Sequence, residues 1–215
     1  MIKNTLKINI DLSTATKYDK LIGNLSKNMY GRICEAPAVH ILPIIKDYMG
    51  DKCKVYVETG SLFGGSLILL MQDETPCEFI GIDLFDGYYD KDIDPVSKLT
   101  LCVDDVHKNI EKYNKHEHKY TLIKGSSYDL NTVEKFRSLG KSIDLLFIDG
   151  DHSEIGVLGD YNSYKEFVNK DGLIMFDNYE SCWKEVKPTV DSIDFENDGF
   201  QKIGQYGQAL IVKKK

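Results

Sequence analysis

The stretch 143-IDLLFIDGDHSEIGVLGDYNSY-164 decides the fold. An apolar run ends at Asp149, a short glycine-containing turn follows, and helix-period residues begin. Strand, turn and helix are two-thirds of a βαβ unit, and that unit implies a parallel sheet covered by helices. The stretch also holds five acidic residues. Two of them, Asp149 and Asp151, follow directly on the strand. Carboxylates at a strand end cost desolvation unless something pairs with them.

Outward from this unit the same alternation continues. Strands are predicted at 54–59, 78–85, 119–125, 143–149, 172–177, 200–205 and 208–214, with helices near 64–73, 95–114, 129–139, 153–169 and 183–193. Several strands are nearly continuous in apolar residues, as strands buried on both faces of a parallel sheet are. Only Tyr206-Gly207 joins the last two, which reads as a hairpin. The expected fold is α/β: a Rossmann-like, mostly parallel seven-stranded sheet with a C-terminal antiparallel hairpin and helices on both faces. Residues 1–215 are expected to form a single domain. Residues 1–50 would be an N-terminal helical cap, with helices near 15–29 and 36–49 packed across the strands' carboxyl ends or on one face. Residues 51–215 would be the ligand-binding core. In such sheets ligands sit outside the carboxyl ends of the strands.

Composition narrows the function classes. The 215 residues are 42% hydrophobic and 28% charged, ordinary for a globular chain. The net charge of -7 is spread out, and the only basic run is Lys213-Lys214-Lys215, so no nucleic-acid footprint is present. The five cysteines (Cys34, Cys53, Cys77, Cys102 and Cys182) are odd in number and form no CxxC pair. That argues against a disulfide framework or structural zinc and for a reducing compartment. The apolar run 66-SLILLM-71 is too short to span a bilayer, and 1-MIKNTLKINIDLS-13 lacks the apolar core of a signal peptide. A cytoplasmic protein without membrane or nucleic-acid partners is expected, with homo-oligomerisation left open.

After the first strand comes 57-VETGSLFGGSLILL-70. Gly60 permits a tight turn with positive φ, and Gly64 and Gly65 are expected to allow close helix–strand packing. A Walker loop needs a lysine that is absent here. A dinucleotide fingerprint needs backbone amides to approach a pyrophosphate, and Leu62 and Phe63 stand where that approach would occur. Glu58, just before the turn, disfavours phosphate and suits hydroxyls or a positive charge. In 80-IGIDLF-85, Asp83 ends the next strand where an acid can grip a ribose diol. A phosphate-free nucleoside carrying a cation fits both acids, and S-adenosylmethionine is such a ligand. The alternative is that Glu58 and Asp83 are plain strand-end caps.

Asp149 ends strand four, and Asp177 and Asn178 end strand five in 176-FDNYE-180. Adjacent strands lie about 4.8 Å apart, so these three would converge their oxygens and leave room for waters, as a Mg²⁺ site requires. The alternative is that Asp149 and Asp177 cap the helices that follow. The acidic run 83-DLFDGYYDKDIDP-95 fails the calcium-loop pattern, because Pro95 takes the glycine position and Leu101 the closing glutamate. It reads as a solvated loop whose Tyr88 and Tyr89 cover a substrate or merely face solvent. His40, His107, His116 and His118 need no function. His152, three residues past Asp149, is within reach of a substrate oxygen held there and can take a proton; otherwise it is a helix-start residue exposed to water.

The segments 58-ETGSLFGGS-66, Asp83, 148-IDGDHSEIGVLGDY-161 and 171-DGLIMFDN-178 resemble class I S-adenosylmethionine-dependent methyltransferases. The resemblance is to the small-molecule O-methyltransferase group with an IDGDH motif, from about residue 37 to the C-terminus. It implies cofactor contacts at Glu58, Gly60, Ser61, Ser66, Asp83, Ser126, Ser127 and Asp151. It implies metal ligands at Asp149, Asp177 and Asn178. The related caffeoyl-CoA and catechol O-methyltransferases carry a lysine base where His152 stands, whereas sugar O-methyltransferases with a histidine base are similar here. The expected function is O-methylation of a small-molecule or sugar hydroxyl, assisted by Mg²⁺ or another divalent cation. His152 would be the base, with Asp151 as its rival and Asp149 holding the metal. A nicotinamide-dependent oxidoreductase and a catalytically silent S-adenosylmethionine-binding subunit are the competing readings.

Overall fold

A computed structural model describes residues 4–33, 37–87, 89 and 91–215. Seven strands form one sheet: β1 (Val55–Thr59), β2 (Glu78–Asp83), β3 (Tyr120–Lys124), β4 (Ile143–Ile148), β5 (Val168–Phe176), β6 (Phe200–Tyr206) and β7 (Ala209–Lys214). Their order is β3-β2-β1-β4-β5-β7-β6. Strands β1 to β5 run parallel, and β7 pairs antiparallel with both β5 and β6. Strand order reverses between β1 and β4, so the switch point falls where their carboxyl ends meet.

Side chains alternate between two cores, as strand geometry requires. One face packs Tyr56, Phe79, Leu145, Phe147, Leu173 and Met175 beneath helices α1 (Ala15–Asn28), α2 (Pro37–Met49), α3 (Gly65–Leu70) and α4 (Val103–Tyr113). The other packs Val57, Ile80, Ile82, Leu146, Ile148 and Phe176 beneath α5 (Leu130–Ser138), α6 (Glu154–Tyr164) and α7 (Val186–Ser192). The two leading helices therefore lie on one face, beside α3, rather than across the strand ends. Among the described residues no helix is long and apolar enough to cross a membrane.

Three sequence expectations change. The helix expected from residue 95 begins only at Val103. Before it, Asp94 is tied by the Ser97 amide at 2.6 Å and the Arg32 guanidinium at 3.1 Å, and Ile93 bridges Thr100. Asp94 is buried, while most of the described residues around it are exposed as a solvated loop's are. The helix expected to reach 169 stops at Tyr164, and β5 starts at Val168, with an irregular register against Ile143 and Leu145. Gly64 and Gly65 do not serve helix–strand packing. A side chain at Gly65 would meet Ile33, and one at Gly64 would meet Val106. The close approach of loop to strand is at Gly81, where an added Cβ would lie 2.5 Å from Ser61 Oγ.

The N-terminal segment was not anticipated. Thr5 and Lys7 donate their amides to Gln205 and Ile203, both at 2.8 Å, covering the outer edge of β6. Covering an edge strand removes a template for aggregation.

Candidate active site

Backbone hydrogen bonds continue past the strand ends and tie the turns in a row. Gly125 donates to Asp83 at 2.9 Å, Gly60 to Ile82 at 2.9 Å, Asp149 to Thr59 at 3.1 Å and Asp177 to Ile148 at 3.0 Å. The row brings Glu58, Gly60, Asp83, Asp149 and Asp177 to one edge of the sheet. Gly60 adopts φ 85°, and a Cβ there would lie 2.0 Å from the Asp149 carbonyl oxygen. No side chain fits at that contact.

Glu58 falls on the same face as Tyr56 by strand parity, and the Tyr56 hydroxyl donates to its Oε2 at 2.6 Å. Its other oxygen is buried without a hydrogen-bond partner. Burial pushes the Glu58 carboxyl up to about 7, with the hydroxyls of Ser66, Tyr56 and Ser61 opposing and the Asp83 charge adding to it. Asp83 accepts the amides of Leu62 at 2.8 Å and Phe85 at 2.7 Å. Both donors hold left-handed φ angles, 46° and 49°, so strained backbone is used to aim at this carboxylate. Burial raises the Asp83 carboxyl despite those amides.

Ser61 lies buried beside Gly81, its hydroxyl without a partner, and Ser66 is half-buried in the first turn of α3. Across the edge, the Ser126 carbonyl accepts the Asp129 amide at 3.0 Å, turning the chain into α5. Ser127 donates its hydroxyl to Asp160 at 2.5 Å. Asp151 accepts the Ser153 amide at 3.0 Å, the Ser153 hydroxyl at 2.9 Å and the Tyr128 hydroxyl at 3.3 Å. Its carboxylate thus faces the start of α6 and the turn after β3.

Asp149 and Asp177 cap no helix. Ser153 caps α6, accepting the Gly156 amide, and Glu185 stands at the start of α7. Burial pushes the Asp149 carboxyl up to about 7, with the charge of Glu58 adding to the effect and Asp177 and Arg32 opposing it. Burial and the neighbouring Asp149 hold Asp177 far above the usual carboxylate range. Two carboxyls in such contact share a proton unless a cation replaces it. Asn178, at φ 55°, follows with its amide on Asp177 Oδ1 at 2.7 Å. Two carboxylates and an amide oxygen form a hard donor set that suits a divalent cation. Among the described residues, no group of three or more His, Cys, Asp or Glu is arranged to hold a metal ion.

His152 is not exposed to water. Its Nε2 lies 3.4 Å from Asp149 Oδ1, and its ring stacks on Trp183 at 4.6 Å and 10°. Burial lowers its imidazole below the usual range, the Asp177 charge opposing, so it is neutral near pH 7. Tyr89 covers it from the 84–100 loop. Tyr88 and Asp90 lie outside the described residues.

Two site residues escaped the sequence reading. Trp183 gave no local signal. Asp160 did: α6 buries Gly156, Val157, Tyr161 and Tyr164, and an acid inside that stripe needs a reason. It is fully buried, and burial pushes its carboxyl up to about 6. Among the described residues eight buried side-chain polar atoms lack a hydrogen-bond partner. Five of them, on Glu58, Thr59, Ser61, His152 and Asp160, gather at or beneath the carboxyl ends of β1 and β4. Ser61 faces Glu58 and Thr59 faces Asp160, and around these pairs the cluster leaves polar atoms that a polar ligand can complete.

Comparison with known proteins bears on this edge. Residues 57–179 match the family described as a methyltransferase domain. An uncharacterised protein of Acanthamoeba polyphaga mimivirus is 35% identical over 175 residues, covering 79% of this chain and 72% of that protein. The O-methyltransferase from Bacillus cereus in complex with SAH (S-adenosylhomocysteine) superposes with TM-score 0.60 at 15% identity, covering 97% of this chain and 93% of that one. A TDP-rhamnose 3'-O-methyltransferase of calicheamicin biosynthesis superposes with TM-score 0.59 at 12% identity, covering 94% and 93%.

Proposed function

The chain belongs to the methyltransferase-domain family and is an S-adenosylmethionine-dependent methyltransferase, and from that premise we propose that it methylates a hydroxyl of a small molecule or sugar with the help of a divalent cation. One observation carries the reading: the half-buried Asp149 and the buried Asp177 cap nothing, and the neutral His152 stands 3.4 Å from Asp149. A hydroxyl held there has a base beside it. Histidine in this position favours an acceptor that is not restricted to catechols, and the sugar enzyme of the same fold agrees with that breadth.

Glu58 and Asp83 are assigned to the cofactor's cationic and ribose ends, and Ser61, Ser66, Ser126, Ser127 and Asp151 to its flanks. When bound, S-adenosylmethionine supplies an electrophilic methyl group. Asp149, Asp177 and Asn178 would hold the cation, whose positive charge would make a neighbouring hydroxyl more acidic. His152 Nε2 takes the hydroxyl proton, leaving the acceptor oxygen as nucleophile. Asp151 is the weaker candidate for base, since its carboxylate is engaged by Ser153 and Tyr128.

The test is S-adenosylhomocysteine release with panels of sugar and phenol acceptors, with and without EDTA. Hydroxyl-dependent release that EDTA suppresses is expected. Tight cofactor binding with no release on any acceptor would favour a silent binding subunit instead.

A further inference from the structure

Tyr56 stands two places before Glu58 on β1, and strand parity puts both side chains on one face of the sheet. Its ring is wholly buried and packs at 5.9 Å against Phe79 of the neighbouring strand, in a core that a phenylalanine would fill as well. The hydroxyl is what a phenylalanine lacks, and a buried hydroxyl costs free energy unless it is bonded. Here the bond goes to Glu58 Oε2 at 2.6 Å. Burial and the charge of Glu58 hold the phenol well above its usual range, so it keeps its proton.

An ionised carboxylate has lone pairs and no proton, so in that form of Glu58 the phenol is the donor. A hydrogen bond to a charged acceptor is among the stronger ones. With Oε2 held from within the core, the flexible Glu58 side chain is fixed, and Oε1 is the oxygen left for a ligand. Oε1 is buried without a hydrogen bond, and the hydroxyls of Ser66 and Ser61, from the loop side, also act on this carboxyl. Asp83 is fixed by the backbone amides of Leu62 and Phe85, whereas the restraint on Glu58 comes from a side chain.

We propose that Tyr56 is a positioning residue: its hydroxyl pins Glu58 Oε2 from the core and so presents Oε1 to the ammonium group of the cofactor's amino-acid tail. The inference rests on Glu58 serving the cofactor. A carboxylate already fixed loses less side-chain freedom when the ammonium arrives, so more of the contact appears as affinity. Tyr56 itself touches neither the cofactor nor the acceptor in this role.

The test is titration calorimetry on the full chain with two probes. One is S-adenosylhomocysteine, and the other is 5'-methylthioadenosine, an adenosine thioether without the amino-acid tail. Tyr56→Phe is expected to bind S-adenosylhomocysteine roughly tenfold more weakly, the worth of one hydrogen bond to a charged group, and to bind methylthioadenosine as the wild type does. Equal losses for both probes, as a merely structural role would give, or no loss for either, overturn the proposal. Glu58→Leu and the double variant Tyr56→Phe/Glu58→Leu complete the cycle. Replacing both partners of a buried bond by apolar groups of similar shape is mild, so this arm is readable even where Tyr56→Phe alone does not fold. The two variants should bind S-adenosylhomocysteine alike, since Tyr56 then has nothing to position; weaker binding by the double variant overturns the role. Failure of the Glu58 assignment reads differently: Glu58→Leu would bind S-adenosylhomocysteine as tightly as the wild type.

Discussion

The carboxyl groups of Asp149 and Asp177 meet at the ends of two adjacent parallel strands, β4 and β5, and neither caps the helix that follows it. Two largely desolvated acids in contact are unfavourable without a cation or a shared proton. Mg²⁺ or Mn²⁺ is expected to raise the melting temperature of the wild type. Asp149→Asn and Asp177→Asn are expected to lose that response and to lower turnover by roughly a hundredfold or more, the loss of one strong charge-stabilising contact. Full turnover of wild type in excess EDTA would refute the metal role.

The same burial sets a pH dependence. Asp149 ionises near 7 in the fold against an ordinary 3.8, and Glu58 near 7 against 4.5. Between those values the folded chain keeps protons that the unfolded chain has lost. These groups therefore make stability fall as pH rises through that window. Without ligand, the protein is expected to melt lower at about pH 8 than at about pH 5. Asp149→Asn should flatten the slope and stabilise the protein at about pH 8 by about 1 kcal/mol or more, roughly 2–4 °C. Calorimetry across pH measures this, and an unchanged slope in the variant would count against it.

Gly60 is held at φ 85° with the Asp149 carbonyl oxygen where a Cβ would go. Gly60→Ala must move the β1 turn off the β4 turn. A loss of at least about 2 kcal/mol in urea unfolding is expected from strain and clash together. Cofactor affinity should fall with it, by roughly tenfold or more, about 1.4 kcal/mol. Wild-type stability in this variant would show that the contact relaxes freely.

Glu58 and Asp83 separate binding from folding. Glu58 has one oxygen without a partner, so Glu58→Gln should leave stability unchanged or higher. Its cofactor affinity should fall roughly tenfold to a hundredfold, the worth of one charged hydrogen bond. Asp83 anchors the amides of Leu62 and Phe85, so Asp83→Ala should lower both stability and affinity. Titration calorimetry with S-adenosylhomocysteine beside thermal melts distinguishes the two patterns. Equal affinity in Glu58→Gln and wild type would remove Glu58 from the cofactor site.

Much of the site was legible along the chain because strand ends are legible. Glu58, Asp83, Asp149 and Asp177 each close an apolar run, and parallel strands present their ends at one edge. Asp160 was legible too, as an acid in the buried stripe of α6, but its partner was not. Ser127 is 33 residues away, and nothing local links them.

The sequence by itself determined the succession of strands and helices, the C-terminal hairpin and the glycine turn at Gly60, since period and turn chemistry are local properties. Only the tertiary structure decided the rest. Strand order places β1 beside β4, and the Arg32–Asp94 pair replaces the expected start of α4 with a loop pinned at one buried carboxylate. Tyr89 reaches His152 across 63 residues, turning what reads locally as a solvent-facing histidine into a half-buried, contacted one. The paths that loops take depend on which distant charges and rings they meet, and no local period encodes that.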